Sequence, residues 1–101
     1  MRLENEERAI IGDIAAELQV APAALAEAVE HESVPMLAAL LRIDHVEADA
    51  RLEPIRRVVM MEGDWGAGCW LMNEELRIEL RAALRALLPR DHSASSGDSH
   101  G

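Results

Sequence analysis

The chain has 101 residues, enough for one compact domain with a modest core, and half of them are apolar, which excludes a generally disordered chain. Its formal net charge is -9, so its field repels nucleic acid and suits basic protein surfaces. No stretch approaches the length and apolarity of a membrane span, and Met1–Glu7 is too charged to read as a secretory signal.

The apolar set lacks Phe and Tyr and holds two Trp, so the core must come from Leu, Ile, Val, Met and Ala. Alanine favours helices and lets them approach closely. A first helix is predicted over about residues 4–19, with Leu3, Ile10, Ile11, Ile14 and Leu18 on one stripe. Glu4, Glu6 and Glu7 suit its positive N-terminal end. Gly12 marks a point of close packing in this reading. Pro22 suits the start of a second helix, which turns Leu25 and Val29 inward and Glu27 and Glu30 outward and ends near Glu32. A third helix starts at Pro35, with Met36, Leu37, Leu40 and Leu41 as its apolar stripe. A polar helix then continues past Asp44 to Glu53, where Pro54 interrupts it.

Val58–Met61 reads as a helix end or a buried strand, and residues 62–68, with three glycines, read as a loop. One alternative is a small β-hairpin around residues 58–72, pairing 58–61 with 69–72. Asn73 is a good N-cap for the final helix, which carries Leu76, Leu80, Leu84, Leu87 and Leu88 on one face until Pro89 stops it. That leucine face also suits pairing between two chains. The fold class expected is all-α: a compact bundle of four to five short helices over residues 1–89. Residues 90–101, polar and without apolar anchors, read as a disordered tail.

Charge is divided unevenly. Residues 1–53 hold twelve Asp or Glu against four Arg; residues 54–101 hold seven against six. There is no Lys, and the Ala-, Arg- and Leu-rich composition fits a bacterial or phage origin. Arg77, Arg81 and Arg85 recur every four residues as a basic stripe beside the leucines. This stripe is either a solvated face or the counterpart of the acidic N-terminal helices, within the chain or across a homodimer. Cys69 has no second cysteine to pair with, which fits a reducing, cytoplasmic setting.

Asp13-Ile14-Ala15-Ala16-Glu17-Leu18-Gln19-Val20-Ala21-Pro22-Ala23-Ala24-Leu25 resembles a bacterial helix-turn-helix. The resemblance implies two helices packed through Ile14, Ala15, Leu18, Val20 and Leu25, with the second reading DNA. That second helix offers Ala23, Ala24, Ala26, Glu27 and Glu30, none of which donates to a base edge or a phosphate.

The part of this run from Ala15 to Leu25, followed by Ala28-Val29-Glu30-His31-Glu32-Ser33, also resembles the start of phage-type peptidoglycan muramidases. That resemblance implies Glu32 as a general acid at a helix end, and Trp65-Gly66 resembles a Trp-Gly of that family's groove. The chemistry requires Glu32 in an apolar pocket. Val34-Pro35-Met36 begins an apolar helix where that family has glycines.

Other chemistries lack their residues. His31-Glu32 has no second His at zinc-protease spacing, and residues 44–49 lack the glycine and terminal Glu of a calcium loop. The glycine segment has no phosphate-binding Lys, and Cys69 has no base near it in sequence. No cofactor and no metal are expected. The expectation is a small acidic, non-enzymatic regulator, adaptor or inhibitor that binds a basic protein, and one form of it is mimicry of DNA. The contact residues expected are Glu27, Glu30, Trp65, Arg77, Arg81 and Arg85. The enzymatic alternative rests on Glu32.

Overall fold

The computed structural model describes residues 2–65 and 74–89, with the backbone alone over 61–65. The described chain is helical throughout: α1 Asn5–Leu18, α2 Pro22–Glu30, α3 Val34–Leu41, α4 His45–Trp65 and α5 Glu74–Leu84, closed by a 3-10 turn Arg85–Leu87. It is an all-α bundle, with no strand among the described residues.

Each boundary has a local cause. The Glu7 carboxylate accepts the Glu4 backbone N–H at 2.8 Å and so satisfies a donor at the start of α1. Ser33 Oγ accepts the Met36 N–H at 3.2 Å, which sets the start of α3 one residue before Pro35. Asp44 Oδ1 accepts the Glu47 N–H at 2.8 Å and starts α4 as a separate helix. Gln19, Glu32 and Arg42 take left-handed backbone conformations where α1, α2 and α3 end.

The core is the aliphatic set that helical periodicity marks. Ile11 and Ile14 of α1, Leu25 and Val29 of α2, and Leu37 of α3 are buried with Leu52, Ile55 and Val58 of α4. Leu76, Leu80, Leu84 and Leu87 complete it, so the leucine face of α5 is taken by the chain's own core. Met36, expected on the α3 stripe, is exposed, and Leu40 and Leu41 are half-buried.

Three expectations are corrected. First, Pro54 does not interrupt the helix: α4 runs through it for 21 residues. Proline removes one donor, and the carbonyl it leaves is that of Ala50, an exposed residue open to water. Arg56 also bonds back to Asp49 at 2.7 Å and Glu53 at 2.9 Å, tying together the turns on either side of the proline. Second, Val58–Met61 is helical, not a strand, so the hairpin reading fails. α4 continues through Gly63 to Trp65, which also shortens the predicted loop. The burial of Val58 in helical register with Ile55 and Leu52 carries the helix past the point where β-branched residues favour a strand. Third, a Cβ added at Gly12 meets nothing within 4 Å, so close packing does not require this glycine. The expectations for residues 66–72, for Cys69, for the Asn73 cap and for the 90–101 tail lie outside the described residues.

Gly12→Ala is therefore expected to stabilise the protein by about 0.5–1 kcal/mol, because a mid-helix glycine gives up helix propensity with no packing in return. A urea or thermal titration beside the parent chain measures it, and a lower midpoint would contradict the open space at this position.

Glu53 gives a pH dependence. The hydrogen bond from Arg56 lowers its pKa, partly opposed by burial and helped by the charges of Arg56 and Arg57. A lowered folded-state pKa contributes stability that is present above the unfolded carboxylate range and lost as pH falls through the folded value. Glu53→Gln should leave a smaller loss of urea midpoint on acidification than the parent shows. An identical acid limb in both would show that the pairing contributes nothing.

Candidate protein-binding surface

Helical spacing aims the charges of α1 and α5 at one another. Glu4 and Glu7 lie at the start of α1, and Arg77 and Arg81 lie one turn apart on α5. Glu7 is fully buried. Arg77 donates to Glu7 at 2.8 Å and to Glu4 at 2.7 Å. Arg81 donates through Nε to the other Glu7 oxygen at 3.0 Å and pairs with Glu6 and Glu74 on its outer side. The Glu7 hydrogen bond, with the charges of Glu6, Glu7 and Glu74 adding to it, raises the Arg81 pKa above the usual arginine range. Among the described residues no buried side-chain nitrogen or oxygen lacks a hydrogen-bond partner.

The arginine stripe thus meets the acidic first helix of its own chain. Arg77 is buried and Arg81 half-buried in that seam, while Arg85, one turn on, is exposed. Further along, Arg51 donates to Glu47 at 2.9 Å and to the Leu87 carbonyl at 3.1 Å. It holds the end of the 3-10 turn against α4, where a cation suits the exposed carbonyls of a helix terminus.

The expected α2 acids divide. Glu30 is half-buried and accepts from the Leu3 N–H at 3.0 Å and from Arg8 at 2.8 Å, which fixes the N-terminal strand-like lead-in of residues 2–4 against α2. Glu27 is exposed, with His31 Nε2 at 3.9 Å. Trp65 is the last residue of α4, and its side chain lies outside the described set.

Sequence reading does not single out Asp13 and Glu17, which stand four residues apart on the outer face of α1. Both are exposed, and neither pairs with an arginine among the described residues. Their only sequence signal is position: they lie opposite the Ile11–Ile14 face, so the helix turns them to solvent.

Glu32 is half-buried at the end of α2 in a left-handed conformation. It lines neither the groove of about 560 Å³ between Leu18, Val20, Leu41 and Ile43 nor the smaller one between Glu4, Glu74 and Arg77. Among the described residues, no group of three His, Cys, Asp or Glu side chains is placed to hold a metal ion. α1 and α2 meet through a three-residue turn, and the outward face of α2 presents Ala23 and Glu27. Comparisons with protein-family models, with curated proteins and with solved structures find no match to this chain.

Breaking the buried seam should be costly. Glu7→Gln or Arg77→Met is expected to destabilise by about 1.5–3 kcal/mol, since each removes a charge-assisted hydrogen bond from a buried cluster in which Glu4 still holds Arg77 and Arg81 still holds Glu7. The double variant should recover part of that loss in a double-mutant cycle. Additive losses, read by urea denaturation, would show that the two groups do not act as a pair.

Proposed function

We propose that this protein is a non-enzymatic binding module, a regulator, adaptor or inhibitor that presents the outer faces of α1 and α2 to a basic protein surface. One observation carries the reading: five arginines are held by carboxylates of their own chain, while acids on the outer faces of α1 and α2 are not. Arg51, Arg56, Arg57, Arg77 and Arg81 all pair with carboxylates of the same chain. Exposed Asp13, Glu17 and Glu27 have no such arginine among the described residues. These acids place negative charge on the outer faces of the first two helices, where it steers a cationic partner and repels phosphate.

Sequence-specific DNA binding through α2 does not fit this surface, because Ala23 and Glu27 supply neither donors nor cations. Glu32 lines neither of the two grooves given above, so among the described residues no observation favours the muramidase reading. The partner proposed is a protein whose contact face carries Arg or Lys.

The test is capture from a nuclease-treated host lysate with the tagged full chain, beside a variant carrying Asp13→Asn, Glu17→Gln and Glu27→Gln. A single stoichiometric protein held by the parent, released at high salt and not held by the variant is expected. A partner held equally by both, at equal salt sensitivity, would remove the acidic face from the interaction. Substituting Glu30 instead should also lower stability, since that carboxylate anchors Leu3 and Arg8.

A further inference from the structure

α4 packs on the rest of the molecule through one side only. Ala48, Arg51, Leu52, Ile55 and Val58 are buried, whereas Val46, Ala50, Arg57 and Met60 are exposed and Glu53 is half-exposed. Val46 and Met60 are the two most exposed large apolar side chains described, at 80% and 69%.

The outer set is not scattered. At about 100° per residue, positions 46, 50, 53, 57 and 60 fall within an arc of about 80°. Their spacing is four, three, four, three, which is the seam of a coiled coil. Pro54 lies to one side of it. The seam has apolar residues at both ends, a small alanine inside one of them, and an acid and a base at the centre.

We propose that this ridge of α4 pairs with the same ridge of a second copy of the chain, antiparallel, about a two-fold axis near residue 55. Charge selects the partner and its direction. With the helices antiparallel in this register, Glu53 faces the partner's Arg57 and Arg57 faces the partner's Glu53. Parallel pairing would set Glu53 on Glu53 and Arg57 on Arg57, which is repulsive. The same antiparallel register seats each Met60 over the partner's Ala50, a long flexible side chain over a small one. Val46 lies beyond these layers, opposite position 64 of the second copy. A polar layer between the two Ala50–Met60 layers fixes the register. A two-fold axis makes every such contact twice, as an isologous interface requires. Within one chain Glu53 and Arg57 lie 3.4 Å apart, so both charges are already in place on the ridge. This surface is separate from the acidic faces of α1 and α2, and either proposal stands if the other fails.

The experiment is sedimentation equilibrium on the full chain over a wide concentration range, with Glu53→Arg and Arg57→Glu measured singly and mixed. The parent should associate to a dimer. Each single variant should associate roughly tenfold or more weakly, because like charges then face one another twice. The two variants mixed should restore the dimer, since one chain then carries two cations and the other two anions. Equal helicity by circular dichroism confirms that these exposed substitutions leave the fold intact, and the mixture reads the pairing without depending on either variant alone. A parent that stays monomeric throughout overturns the proposal, as does a dimer indifferent to both reversals or one that mixing fails to restore.

Discussion

The structure depends on a single carboxylate taken wholly out of water. Glu7 is buried with both oxygens in use: one accepts from Arg77 and from the Glu4 backbone, the other from Arg81. A buried charge is tolerable only when its hydrogen bonds are satisfied, and here two guanidinium groups and a backbone donor satisfy them. The requirement runs both ways. α1 must start where Glu7 can cap it, and α5 must lie close enough along α1 to bring two successive turns of arginine to one carboxylate. A hydrophobic core of Leu, Ile and Ala alone would permit several rotations of α5; the buried ions narrow them to one.

That seam also decides which charges reach the surface. The fold draws Arg77 and Arg81 into the seam and leaves acids on the outer faces of α1 and α2 without an arginine among the described residues, so the uneven charge of the two halves becomes an uneven surface. Arg51 continues the pattern by holding the last turn at the Leu87 carbonyl. Arginine suits these roles because its planar fork serves two acceptors at once, as it does between Glu4 and Glu7.

Much of the fold was legible in the sequence because helical period and end signals agree there. The α1, α2 and α5 stripes appear as buried faces, and Pro22 and Pro35 stand at or beside helix starts. Residues 50–65 were not legible, for a physical reason. Local signals at Pro54, at Val58-Val59 and at Gly63 all argue against a helix, while the burial of Leu52, Ile55 and Val58 argues for one. Tertiary packing outweighs local preference there, and no window of sequence contains the packing. The site was legible in part. The basic stripe and the acidic helices could be paired from sequence, within the chain or between chains. Which acids the pairing would consume could not, because that depends on how α1 lies across α5. Asp13 and Glu17 stand out only once the arginines are seen to be occupied elsewhere.

The contact between Glu7 and Arg77 joins positions 70 residues apart, whereas the corners between α1, α2, α3 and α4 join neighbours in sequence. Loop-closure entropy opposes the distant contact and barely opposes the near ones. The chain is therefore a run of local corners shut by one remote clasp. The corners can form in any order at little entropic cost, and the clasp is made only when most of the chain is already in place. An interaction formed that late governs how fast the molecule opens more than how fast it folds. The ion seam thus joins the first helix to the last across most of the chain's length, beside the aliphatic core that packs the same two helices.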